Sequence, residues 1–372
     1  MPNLTESEII ASRHLFNFTD GHSRRPFSAP EYQVLLKAAE FLQEPIETVG
    51  VLADRFVAAF YELAQQSFDL NQDNYLLFPS ASLATDVVAQ LLTHYGHTQI
   101  AVIEPCFDNL PDLLKLKGLT VVPIGENELG SQVDITTHPA TALLLVDPNN
   151  PTGFMFNETQ FRAIVEQCVK SNKTLVLDAT FRFYKSPADS FDQLAILKAA
   201  GAEYIIIEDT GKTWPSQEQK ISILTYSPHF AAHFYKLYTI YYLSPSPAAL
   251  QLLTGYVQAT AADNFDHLHS LIIHNRRFIA EAIKGTGIQM AEAELMPVCW
   301  LRLPDHVSAC SFVDELENVQ PSIRILEGQP FFWSDETGEK GAQYVRIALS
   351  RNPHLVMVAA EKIKEVARRL KM

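Results

Sequence analysis

The chain has 372 residues, 47% of them hydrophobic and 19% charged, which predicts a globular protein with a large domain and a smaller one. A formal net charge of −14 argues against a nucleic-acid backbone binder, which needs a basic footprint, and is compatible with a cationic substrate. No apolar run reaches the ~18–20 residues that span a bilayer, and no secretory leader is expected, so the chain reads as cytoplasmic, with neither nucleic acid nor membrane as partner. Four scattered cysteines show no CxxC pair and no ligand spacing, which predicts reduced thiols and no metal site. Cys168, Cys299 and Cys310 are expected as small core residues.

Along the chain, Leu4–His22 is mixed polar without a strong period, and His22–Pro30 reads as loop before a helix from Glu31. Five short apolar runs follow: Gln99–Glu104, Leu119–Ile124, Leu143–Asp147, Thr174–Asp178 and Tyr204–Glu208. Continuous apolar strands alternating with helix-period segments predict an α/β fold whose largely parallel sheet is covered on both faces. Asn157 and Gln160 form a capping-box signal, and Phe161, Ile164, Val165 and Cys168 then recur on one helical face. A helix over His267–Lys284 is expected to stop at Gly285 and Gly287, with a second domain beyond it. The last helix begins at Asn352-Pro353 and ends among Arg368, Arg369 and Lys371.

Three segments carry chemistry, each directly after an expected strand: Asp147-Pro148-Asn149-Asn150-Pro151-Thr152-Gly153, then Asp178, then Glu208-Asp209-Thr210-Gly211-Lys212-Thr213-Trp214-Pro215. In parallel sheets, ligands sit beyond the carboxyl ends of strands. Each segment has a bland reading: a tight turn, a turn cap and a solvated lysine. Together, in this order, they resemble the fold-type I pyridoxal 5′-phosphate (PLP) enzymes of the aspartate-aminotransferase superfamily. Tyr344–Ser350 (YVRIALS) is similar to the segment whose arginine holds the substrate carboxylate.

The resemblance implies PLP as cofactor and a role for each matching residue. Lys212 would be the covalent attachment point and proton carrier, and Asp178 the partner of the ring nitrogen. Asn150 would bind the ring hydroxyl, with Thr180 as a second donor beside Phe181, where the family has a tyrosine. Phe107 would stack on the ring, with Cys106 in the site wall. Ser80, Ala81 and Ser82 would open a phosphate-facing helix. Arg346 would take the substrate carboxylate. The fold would pair a mostly parallel sheet with a smaller C-terminal α/β domain: an arm over 1–44, a large domain over 45–285 and a small one over 286–372. Such enzymes imply a homodimer with the site at the interface.

Two positions depart from an ordinary aminotransferase. Asp209 stands where that family has a phosphate-binding serine, and Lys220 where it has an arginine. Further pieces resemble a narrower group, the PLP-dependent, oxygen-using L-arginine oxidases of enduracididine, indolmycin and azomycin type. They are Leu4–Glu8, Thr19–His22, Phe107–Leu110, Glu208–Pro215, Ile273–Arg276, Pro330–Trp333 and Val345–Arg351. This resemblance implies L-arginine as substrate, O2 as co-substrate, and no flavin or metal. Thr5, Glu8, Asp20 and Asp209 would meet the substrate, Lys220 the cofactor phosphate, and His22 would act as an acid or base near Cβ–Cγ. His274 is read as structural. The alternatives are a conventional aminotransferase of a basic amino acid and a PLP-binding regulator, which would need a DNA-binding segment that the sequence does not display.

Overall fold

A computed structural model of the protein describes residues 3–38, 40, 47–129, 134–216 and 218–372. The expected boundary at 44/45 lies outside the described residues. The main sheet has seven strands: β1 (Asn74–Phe78), β2 (Gln99–Glu104), β3 (Thr120–Gly125), β4 (Ala142–Val146), β5 (Thr174–Asp178), β6 (Tyr204–Asp209) and β7 (Ser222–Tyr226). Their spatial order is β1-β7-β6-β5-β4-β2-β3. The five expected strands all form, each within a residue of the expected bounds, and pair in parallel. β4, β5 and β6 are buried along their whole length, which is why they lack polar alternation.

β1 and β7 were not expected, and both pair antiparallel. Among the described residues between β6 and β7, the only helical structure is a 3₁₀ turn, and without a crossover helix the chain returns antiparallel. The helix Glu158–Lys170 opens on the expected Asn157–Gln160 capping box and buries Phe161, Ile164, Val165 and Cys168. A second capping box, Ser28 with Glu31, starts the helix Ala29–Leu36.

A smaller antiparallel sheet, in the order β10-β11-β9-β8, joins β8 (Gln289–Met290), β9 (Val298–Arg302), β10 (Leu326–Glu327) and β11 (Tyr344–Ala348). Its core includes Val298, Leu301, Phe312, Ile347, Val356 and Ile363. Buried side chains of this kind contribute roughly 1.5–3 kcal/mol each. The helix Asp266–Ile283 sends Leu271, Ile272 and Ile279 into this second core, so by packing it belongs with the smaller sheet. Cys168 and Cys299 are core residues as expected, but Cys310 is exposed: it lies on the outer face of the helix Ala309–Asn318, which buries Ala309, Phe312, Val313 and Leu316 instead.

The N-terminal arm ties the two sheets together. Despite its weak periodicity, Leu4–Ala11 is helical, capped by Asn3, and the Leu4 N–H donates to Asp108 at 2.8 Å. Leu4 packs with Trp300, Leu326 and Phe331, and Phe18 enters the second core. Backbone bonds then hold the arm between the end of β11 and the Lys212 turn: Ala348 N to Phe18 O at 2.8 Å, Ser23 N to Gly211 O at 2.8 Å, and Arg24 N to Ser350 O at 3.0 Å. Arg351 completes the clamp, donating to Asn17 O at 3.0 Å, to His22 O at 2.8 Å and to Asp20 O. Burial lowers this guanidinium to about 10, with Asp20 acting in opposition.

Removing the clamp should release the arm while sparing both sheets. In Arg351→Met each carbonyl left unpaired costs about 1–3 kcal/mol. Limited proteolysis read by mass spectrometry should cut the variant faster within residues 12–28. Cleavage there at the wild-type rate would refute the clamp.

Candidate active site

The carboxyl ends of β4, β5 and β6 place the three sequence segments side by side. After β4, the turn is fixed by its own polar side chains. Asp147 accepts from Lys185 at 2.6 Å and from Gln193 at 2.7 Å. Asn149 donates to Glu126 at 2.6 Å and to Pro105 O at 2.8 Å, and Thr152 donates to Glu126 at 2.7 Å. Gly153 has φ +75°, and a Cβ there would stand 2.3 Å from the Ala293 side chain, so only glycine lets the turn meet the second sheet's layer. Asn150 remains free to face the site and accepts from Arg346 Nη1 at 3.0 Å.

At the end of β5, Asp178 is buried and accepts from the Thr180 N–H at 3.0 Å. Burial pushes its carboxyl above the usual range, against the Thr180 hydrogen bonds and the Lys212 charge. After β6, Asp209 caps the 3₁₀ turn Thr210–Lys212, accepting from the Gly211 N–H at 2.6 Å. Tyr184 donates its hydroxyl to the Lys212 carbonyl at 2.6 Å and fixes the far side of that turn. Lys212 Nζ lies 5.9 Å from the Phe181 ring centre. A Cβ on Gly21 would fall 3.9 Å from this nitrogen and 4.0 Å from Arg346 Nη1, so the arm reaches the heart of the site without a side chain.

These groups line one cavity of about 240 Å³. Its walls include Ser80, Ala81, Ser82, Phe107, Asn150, Asp178, Thr180, Lys212 and Lys220 of the expected cofactor set. Thr5, Glu8, His22, Asp209 and Arg346 of the expected substrate and acid–base set share it. Asp20 does not line the cavity; it stands behind His22, with Oδ1 2.5 Å from Nδ1. Cys106 is not in the wall either: it is fully buried beneath Phe107, its thiol pushed up by burial. Thr85 lines the cavity without having been singled out; Gly21 and Asn109, which also line it, and Arg351 were noticed only as parts of matching segments. Buried Arg346 donates to Glu8 at 3.2 Å and to the Thr19 carbonyl.

The arrangement suits PLP. Ser80 caps the helix Ala81–His94, whose first N–H groups have no partner within the helix and face the cavity beside Lys220. Asp178 is a buried carboxylate in need of a cation, as a protonated ring nitrogen supplies, and Lys212 is an amine within the same space.

The chain belongs to the class I and II aminotransferase family, whose model matches residues 52–363, and it has the fold-type I aminotransferase fold. PLP is the cofactor expected for this family. Among curated relatives, LL-diaminopimelate aminotransferase of Azobacteroides pseudotrichonymphae genomovar. CFP2 is 20% identical over 329 residues, 82% of this chain and 77% of that one. A solved structure of MppP soaked with the product 2-ketoarginine superposes with a TM-score of 0.85 at 27% identity, covering 94% of this chain and 99% of that one. Aspartate aminotransferase from Thermus thermophilus with maleate superposes at 0.80 with 14% identity, over 98% and 97% of the two chains, which speaks to the fold alone.

Asp108 gives the site's arm a pH dependence. Burial, with Asp112 and Glu8 nearby, raises its carboxyl from 3.8 to about 6 against the Leu4 hydrogen bond. The folded state therefore takes up a proton, and this group's contribution to stability falls as pH rises from about 4 to about 6. Asp108→Asn should remove that slope, so its stability relative to wild type should rise across the window. Urea unfolding at intervals from pH 4 to pH 7 would show it; a constant difference between the two proteins would disprove the shift.

Proposed function

We propose that the protein oxidises L-arginine, with PLP as cofactor and O2 as electron acceptor, and works as a homodimer. One observation carries the reading: a buried carboxylate-binding guanidinium, Arg346, and two carboxylates, Glu8 and Asp209, face the same cavity as Lys212. The likeness to MppP, whose structure was soaked with a guanidino 2-oxo acid, supports the same substrate class. In the deamination branch, arginine, O2 and water give 2-ketoarginine, ammonia and hydrogen peroxide. In a second branch O2 also takes two electrons from the side chain and leaves as hydrogen peroxide, giving either a double bond or, with water as the oxygen source, a hydroxyl at C4.

Bound PLP supplies an electron sink for the substrate's α-carbon. Lys212 Nζ is the base for the α-proton, and the Tyr184 contact to its carbonyl keeps the turn in register. Arg346 takes the α-carboxylate. In its absence Glu8 holds that guanidinium at 3.2 Å. Arginine can replace both halves of this pair, its carboxylate taking Arg346 and its guanidinium taking Glu8. An amino acid without a distal cation would leave Glu8 displaced and unpaired, at a desolvation cost. The arm excludes water from the space around Gly21, and His22 serves the side-chain protons.

The rival is a conventional aminotransferase of a basic amino acid, favoured by the curated relative. Oxygen uptake with arginine and no 2-oxo acid separates the two, with product mass followed in the same samples. We expect O2 loss, ammonia and 2-ketoarginine or its oxidised forms, and no turnover in Lys212→Ala. Turnover only on adding a 2-oxo acid, with O2 unconsumed, would establish the rival.

Glu8→Gln should act in opposite directions on two ligands. Loss of a charge-assisted contact of ~1.5–3 kcal/mol weakens arginine binding roughly 10- to 150-fold. Norvaline, which has the carboxylate but no guanidinium, should bind no worse than to wild type, since Arg346 is no longer held by a charged competitor. Spectral titration of the PLP-loaded proteins reads both. Equal losses for the two amino acids would rule out the exchange.

A further inference from the structure

Lys220 occupies a position whose family role is to bind the cofactor phosphate, yet the structure engages it elsewhere. Its Nζ stands 2.8 Å from His22 Nε2 and 3.0 Å from Glu218 Oε2. On the other side of the imidazole, Asp20 Oδ1 lies 2.5 Å from Nδ1 and also accepts the His22 N–H at 2.8 Å. We infer that Lys220 is a positioning residue for His22, holding the imidazole as one neutral tautomer with its proton on Nδ1 and its lone pair on Nε2.

The donor and acceptor chemistry leaves little freedom. An ammonium only donates, so Nε2 accepts. Asp20 is buried, yet the hydrogen bond to His22 and the charges of Lys212 and Arg351 hold its carboxyl well below the usual range. An ionised carboxylate only accepts, so Nδ1 carries the hydrogen. Arg24 binds the other Asp20 oxygen through Nε at 2.9 Å, and Arg351 fixes the His22 carbonyl at 2.8 Å. The ring is thus held by its backbone and by both nitrogens.

Gly211 makes the contact possible. A Cβ there would lie 2.9 Å from Lys220 Cδ and 3.0 Å from His22 Cδ2, closer than either residue tolerates. His22 and Lys220 together form the partition between the active-site cavity and a second cavity of about 300 Å³ that holds Arg24 and Glu218. Glu218 is itself lowered by Lys220, against burial, and of the row only Glu218 is well exposed, at 60% against 8% for Asp20, 22% for His22 and 15% for Lys220. With Lys220 in place, both ring nitrogens are engaged; without it, Asp20 alone orients the ring. An acid–base role for His22 therefore depends on a residue 198 positions away in sequence. That consequence rests on the arginine-oxidation reading; the tautomer assignment does not.

The test uses PLP-loaded protein with ¹⁵N-labelled histidine, the His22 signals being identified by their loss in His22→Asn. Long-range ¹H–¹⁵N spectra of wild type near neutral pH should show a protonated Nδ1 and an unprotonated, hydrogen-bonded Nε2. Lys220→Met should release Nε2 and convert this signature to a tautomer mixture, and Lys220→Arg should restore it. In the same proteins, product ratios from arginine should move in Lys220→Met as they do in His22→Asn, with KM little changed. An unaltered His22 signature in Lys220→Met, with only cofactor retention weakened, would overturn the inference and return Lys220 to the phosphate. Absence of arginine oxidation in wild type would sink the proposed function and leave the spectra to decide the contact.

Discussion

Two guanidiniums buried at the end of β11 govern the construction of this site. Arg346 and Arg351 are almost wholly shielded from solvent, and a buried cation without acceptors is too costly to persist. Asn150 after β4 and the Ser350 carbonyl supply one acceptor each. The rest are the carbonyls of Asn17, Thr19, Asp20 and His22 and the carboxylate of Glu8, all on the N-terminal arm. The arm therefore closes over the sheet edge as a condition of burying the two arginines, and in closing it delivers Glu8, Gly21 and His22 to the cavity. Asn150, Asp178, Asp209 and Lys212 reach the cavity from strand ends of the large sheet, Glu8, Gly21 and His22 from the arm, and Arg346 from β11.

The same logic explains why the site tolerates so many like charges. Asp20, Asp178, Asp209 and Glu8 lie within or behind one cavity with Lys212, Lys220 and Arg346. Each carboxylate is tethered by a different donor: His22 and Arg24 for Asp20, the Thr180 N–H for Asp178, the Gly211 N–H for Asp209, Arg346 for Glu8. The tethers keep the anions apart and aimed. Asp178, Asp209 and Glu8 have one tethering residue each, fewer than Asp20; a cationic ring nitrogen would complete the first and a guanidinium the other two.

What the sequence disclosed was what local chemistry decides. Buried parallel strands must be continuously apolar, so β2 to β6 stood out, and the Asn157 and Asn352 caps marked helix starts that tertiary packing did not override. The motif residues were legible because their spacing is set by strand ends. β1 and β7 were missed because Asn74–Phe78 and Ser222–Tyr226 are short and mixed, and their pairing is with each other and β6, not with a crossover partner. The arm helix was missed because Leu4–Ala11 buries only Leu4 and Ala11 and so carries no helical period. Cys106 was placed in the wall on adjacency to Phe107, but successive residues after a strand turn opposite ways, and only Phe107 faces the cavity. Arg351 and the Lys220–His22 contact join residues hundreds of positions apart, and no local pattern announces such a pairing.

Asp209 shows how one substitution can serve two ends. A serine at this place offers a hydroxyl to a phosphate; a carboxylate would repel it. Here Oδ1 is spent on the Gly211 N–H, stabilising the 3₁₀ turn that presents Lys212. The turn needs that acceptor, because its first N–H groups have no partner of their own. The remaining oxygen lies in the cavity wall, where a neutral or anionic ligand end would find it unfavourable and a planar, multiply donating cation would not. On the proposed reading, one side chain would then serve both the recognition of a guanidinium and the placing of Lys212, and a serine here would weaken the two together.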